Sequence, residues 1–175
     1  MQIIALDAAT YCGVAVGTSG GDPKCWSIDL GDGYSQDARF SNVLSLTQGL
    51  IVDHKPDLIV VEAAIGGKNK NDFLIGLVAC IRGCAKNRAV RCETVSPATV
   101  RKHFIGKALT SADFPGMKPA RAKIAIKERV MQQAKWMGWD VPDLDAADAV
   151  ATWDWACANH VPSYQSKPQG GLYRE

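Results

Sequence analysis

Apolar and polar positions change period several times along this chain, and each change predicts a new element. Residues 2 to 8 form an apolar run containing Asp7, and residues 12 to 17 form a second after a short connection, which predicts a β-hairpin. A stretch rich in Gly, Ser and Asp over 17 to 23 turns the chain into a third, alternating strand over 24 to 30, closed by Gly31-Asp32-Gly33. From 36 to 54 the period lengthens: Phe40, Val43, Leu44, Leu46, Thr47, Leu50 and Ile51 mark the core face of a helix that stops at Lys55-Pro56. Residues 57 to 62 are apolar almost until Glu62, as expected of a strand covered on both faces. A helix feeding such a strand predicts a right-handed crossover to a parallel neighbour, with strand 1 the natural choice. That pairing brings Asp7 and Glu62 to one edge of one sheet.

The second half continues with a basic, glycine-bearing loop over 66 to 71 and a helix with Phe73, Leu77, Cys80, Ile81 and Cys84 on one face. A short strand over 89 to 95 follows, then a short helix with Ser96 as cap and Pro97 at its first position. Residues 104 to 117 hold neither period and contain Pro115-Gly116, so a long loop is expected there. Residues 118 to 137 read as a basic amphipathic helix with the apolar line Ile126, Val130, Ala134 and Met137. Asp140-Val141-Pro142-Asp143 breaks the pattern before a last helix from 145 to about 160. The expected organisation is one domain over 1 to 160 and a flexible tail over 161 to 175, rich in Pro, Gly, Ser and Gln.

Composition narrows the class. With 175 residues and 47% hydrophobic content, the chain supports one substantial core and not two. No run of about 18 apolar residues occurs and the start resembles no leader, so a soluble, unprocessed, cytoplasmic protein is expected. The six cysteines form no Cys-x-x-Cys pair, which favours reduced, buried thiols over a zinc site at Cys80 and Cys84.

Charge changes the picture more. The formal net charge of +2 conceals a basic middle: residues 66 to 135 carry fifteen Lys and Arg against four acids. The partner this implies is a polyanion, the alternative being solvated helix faces. Lys68 and Lys70, with backbone N–H groups at the following helix start, are candidate phosphate contacts, unless this is a plain surface loop.

The candidate chemistry lies in the last helix. Asp145 and Asp148, three residues apart, project from one helical face within a single turn. They read either as a capping pair, with Asp145 at the N-cap, or as half of a cation site. Asp7 and Glu62 favour the second reading, because four acids gathered at one sheet edge imply a bound cation or strongly raised pKa values. Oxygen ligands select magnesium or manganese, and two such ions are the usual means of hydrolysing a phosphodiester.

Taken together, Ile4-Ala5-Leu6-Asp7, Gly13-Val14-Ala15-Val16, Ile59-Val60-Val61-Glu62 and Asp145-Ala146-Ala147-Asp148-Ala149 resemble the signature of RuvC-type Holliday junction resolvases, in the RNase H-like superfamily. The resemblance implies an α/β fold whose mixed five-stranded sheet has three antiparallel strands followed by parallel ones, flanked by helices. It further implies a magnesium-dependent homodimer, with manganese able to substitute, that nicks four-way DNA junctions symmetrically. Asp7, Glu62, Asp145 and Asp148 would be metal ligands and catalytic residues. Lys123 would stand beside them as a catalytic and DNA-binding residue, and Arg101 near the scissile phosphate. Lys102, Lys107, Lys118 and Arg121 join Lys68 and Lys70 as candidate DNA contacts. Where the family commonly has Pro-Gly after the first Asp and an aromatic wedge after the Glu, this chain has Ala8-Ala9 and Ile65. Those departures, with the 104 to 117 loop, point towards a phage-type member of relaxed specificity. The competing readings are a related nuclease acting on RNA and a non-catalytic scaffold for branched nucleic acid, with Asp145 and Asp148 kept as caps.

Overall fold

In the computed structural model of the chain, the structure describes residues 1–64 and 71–166. Five strands, β1 (Gln2–Asp7), β2 (Tyr11–Thr18), β3 (Lys24–Asp29), β4 (Leu58–Glu62) and β5 (Arg91–Val95), form one sheet in the order β3-β2-β1-β4-β5. The first three are mutually antiparallel, while β4 runs parallel to β1 and β5 parallel to β4. This is the mixed sheet expected from the sequence. Both parallel connections pass through a helix, α1 (Gln36–His54) into β4 and α2 (Asp72–Asn87) into β5.

Two cores follow from side-chain alternation. Ile4, Leu6, Ile59 and Val61 point to the face covered by α1 and α2, where Val43, Leu50, Leu77 and Ile81 meet them. Ile3, Ala5, Ala15, Leu58 and Val60 point the other way, towards α3 (Pro97–Ile105), α4 (Pro119–Trp136) and α5 (Leu144–His160). The small side chains of Ala5 and Ala15 face an alanine-rich helix, with Ala146, Ala149 and Ala156 fully buried on α5. With so little side-chain bulk between them, α5 lies close against β1 and β2.

The structure differs from the sequence reading around 104 to 117. Phe104 and Ile105 complete α3 rather than opening a loop. Phe104 is buried and stacks on Trp139 with ring centroids 6.1 Å apart, and Gly106 ends the helix at φ 77°. A single 3-10 turn over Ser111–Asp113, capped by Thr110, interrupts the remainder. Tertiary burial of one aromatic ring thus lengthened a helix whose local period was too short to detect. The first part of the expected tail is anchored: Tyr164 packs edge-on against Trp153, and its hydroxyl donates to the buried Asp154, as does Ser166. Among the described residues all six cysteines are free, Cys12 and Cys157 being buried. No helix is long and apolar enough to cross a membrane.

Candidate active site

Strand parity delivers the first two acids. Asp7 continues the series Ile3, Ala5, and Glu62 continues Leu58, Val60, so both side chains leave the sheet on the face where α5 packs. The parallel register pairs Leu6 with Val61, which places the two acids side by side at the strand ends.

The other two acids arrive through Gly13. It pairs with Asp7 across the hairpin and lies under the first turn of α5. A methyl group at residue 13 would sit 2.1 Å from the backbone carbonyl oxygen of Asp145 and 2.6 Å from its carbon. Only glycine lets the helix start approach that closely.

The N-cap of α5 is Asp143, not Asp145. The Asp143 carboxylate accepts from the backbone N–H of Asp145 and of Ala146, at 3.0 and 2.8 Å, and its other oxygen accepts from the Ser27 hydroxyl at 2.6 Å. A cap of this kind contributes about 1 kcal/mol. The capping explanation of the Asp145 and Asp148 pair therefore fails: the helix is capped two residues earlier, and both acids are left to the site.

At the site, Asp7, Glu62 and Asp148 each present an oxygen within 4.8 Å of the others. No other metal-binding group occurs among the described residues, and Cys80 and Cys84 take no part in one. Lys127, on α4, reaches into the cluster. Its Nζ lies 2.6 Å from Asp145, 2.9 Å from Asp148 and 3.3 Å from Asp7. Burial pushes the Asp7 carboxyl up to about 6. Lys127 opposes that rise, whereas Asp148 and Asp145 reinforce it. Glu62 is driven well above the usual carboxylate range by burial and then by Asp7 and Asp148, against the pull of Arg101 and Lys127. For Lys127 burial alone would favour the neutral amine, but Asp7, Asp148 and the hydrogen bonds to Asp145 and Asp148 hold the ammonium form far into the alkaline range.

These groups form an acid cluster with one internal counter-ion, an arrangement that could hold a metal ion. Oxygen donors crowded this closely suit a hard divalent ion such as magnesium or manganese, which removes the repulsion that protonation would otherwise relieve. One consequence is measurable on metal-free protein. Because the folded-state pKa of Asp7 is raised from 3.8 to about 6, this carboxyl is more protonated in the folded state than in the unfolded chain between those values, so its own contribution to stability falls as pH rises through that window. Asp7→Asn is expected to melt higher than the native chain at pH 8, by on the order of 2 kcal/mol in chelator, and the gap should close near pH 4. Thermal melts of both proteins across pH in chelator check this; a gap between variant and native chain that does not widen from pH 4 to 8 contradicts it.

The remaining sequence-predicted residues fall into three groups. Arg101, on α3, is half-buried and close enough to Glu62 to favour its charged form. Lys102, Lys118 and Lys123 are exposed, while Lys107 and Arg121, also exposed, pair with Asp113 and Glu128. Lys68 and Lys70, with Ile65, lie outside the described residues. The lysine that touches the acids is Lys127, one helical turn beyond Lys123. Both lysines border the line of Ile126 and Val130, and the sequence pattern held no signal to choose between them.

Neither protein-family profiles nor curated proteins match the sequence. Among solved structures the chain is similar to Thermus thermophilus RuvC, with a TM-score of 0.61 at 14% identity over 87% of this chain and 90% of that one. It is similar also to T. thermophilus RuvC in complex with Holliday junction substrate, with a TM-score of 0.62 at 13% identity over 87% and 89% of the two chains. The yeast mitochondrial Holliday junction resolvase Ydc2 superposes with a TM-score of 0.53 at 9% identity, over 90% of this chain and 80% of its own. The chain has the RuvC-type, RNase H-like fold.

Proposed function

We propose that this protein is a divalent-metal-dependent endonuclease that cuts four-way junctions or other branched DNA, acting as a homodimer in recombination or repair. The observation that carries the reading is the convergence of Asp7, Glu62, Asp145 and Asp148 around a single lysine, from three distant segments, on a RuvC-like scaffold. Helix capping, the bland account of the last two acids, is already supplied by Asp143.

Asp7, Glu62 and Asp148 would hold magnesium, with Asp145 beside them. When bound, the metal supplies Lewis acidity towards phosphate oxygens and a more acidic water. The chain's own groups do the rest. Arg101 and Lys127 bring positive charge to a position where a backbone phosphate meets the carboxylates. The exposed Lys102, Lys118 and Lys123 on α3 and at α4 extend that charge outwards, as a phosphate-tracking surface requires. Among the described residues the chain carries one such site, so two symmetric nicks on a two-fold junction call for two copies.

The test is cleavage of an end-labelled synthetic four-way junction, with a linear duplex and an RNA–DNA hybrid alongside, in magnesium, in manganese and in chelator. Paired nicks in opposing strands of the junction, absent in chelator, are expected. Preferential cutting of the hybrid would move the assignment to an RNA-directed nuclease. Junction binding without cutting in either metal would make the protein a scaffold.

A further inference from the structure

The four acids do not share one cation position. Asp7, Glu62 and Asp148 form one group of converging oxygens, whereas Asp145 stands outside it and presents Oδ1 to Lys127. The Lys127 ammonium also pairs with Asp148 at 2.9 Å and more loosely with Asp7 at 3.3 Å, its shortest contact being the one to Asp145. We propose that Lys127 is the resident cation of the Asp145 half of the site, so that the free protein takes one divalent ion at Asp7, Glu62 and Asp148 and admits a second only when Lys127 swings out. This inference rests on the metal-dependent nuclease reading and adds to it a control over metal occupancy.

Three observations carry it. The first is space. An ammonium 2.6 Å from Asp145 and 2.9 Å from Asp148 occupies the oxygens that a second ion, needing contacts of about 2.1 Å, would have to use. The second is charge: with all four carboxylates ionised, as metal ligation requires, Lys127 among them and Arg101 near Glu62 leave an excess of two negative charges, which a single divalent ion balances. A second ion would overcompensate unless the lysine leaves. The third is an exit. The Lys127 side chain is 29% exposed, and its flexible four-carbon stem lets the ammonium reach solvent without moving α4.

The test is manganese titration of the full-length free protein, read by calorimetry and by electron paramagnetic resonance. The native chain is expected to bind one ion per chain, with a second at least tenfold weaker. Lys127→Met keeps an unbranched stem, one atom shorter, and removes the charge. It should bind the second ion at least tenfold more tightly and show the spectrum of two magnetically coupled ions, while Lys127→Arg keeps the native pattern. Lys127→Gln repeats the comparison if the Met variant does not fold. Equal two-ion isotherms in the native and uncharged variants overturn the proposal, as does failure of either to bind manganese. Junction cleavage is scored separately. Native protein that cuts junctions while Lys127→Met shows no gain of a second ion defeats this inference alone. The predicted binding pattern without any cutting defeats the nuclease reading alone.

Discussion

Asp148→Asn is expected to lower junction cleavage about a thousandfold or more, roughly 4 kcal/mol of transition-state stabilisation, while the protein still folds and binds junctions. The substitution keeps the shape of the side chain and removes one negative charge from the most deeply buried of the four acids, 4% exposed. Folding should not suffer. One of several repelling carboxylates is lost, and Lys127 retains Asp7 and Asp145. Binding should also persist, because affinity for nucleic acid comes mainly from phosphate contacts spread over the basic helices. Gel-based cleavage, junction binding at fixed salt and a thermal melt separate these effects. A folded Asp148→Asn protein that cuts at the native rate would remove the acid cluster from the mechanism.

The second large effect falls on a residue with no side chain. Gly13→Ala is expected to cost about 3 kcal/mol or more and to abolish cleavage together with manganese binding. The added methyl would meet the Asp145 backbone at 2.1 Å, and no rotamer change relieves a clash between main chain and Cβ. Either β2 retreats or the first turn of α5 lifts, and both separate Asp145 and Asp148 from Asp7. Gly49→Ala on α1 is the control. Nothing lies within 4 Å of a Cβ there, so it should be neutral or stabilising by up to about 1 kcal/mol. Urea denaturation of the two variants gives the comparison, and equal stabilities would mean that α5 is not seated on Gly13.

Lys123 and Lys127 show where sequence reading stopped. They are four residues apart, on the same side of α4, and chemically identical, yet only Lys127 touches the acids. The choice depends on where along α5 the helix crosses, a matter of rigid-body packing that no local pattern records. Asp143 and Asp145 pose the same problem at shorter range. Both are acids at a helix start, and either satisfies the capping preference. The cap went to Asp143, whose second oxygen accepts from Ser27 on β3, a residue 116 positions earlier in the chain.

By itself the sequence determined the strand and helix order, the mixed sheet and the meeting of Asp7 with Glu62. Each of those follows from a period, a terminator or a handedness rule that acts within a few tens of residues. It also determined the pairing of Asp145 and Asp148 on one face, since helical spacing fixes that alone. Tertiary structure decided the depth of the site, through glycine at 13 and alanine at 5 and 15 beneath α5, and the identity of the cation inside it. It also extended α3 through Phe104, whose ring found Trp139 thirty-five residues away. These outcomes depend on contacts between segments far apart in the chain, where close packing, rather than propensity, sets which atoms can meet.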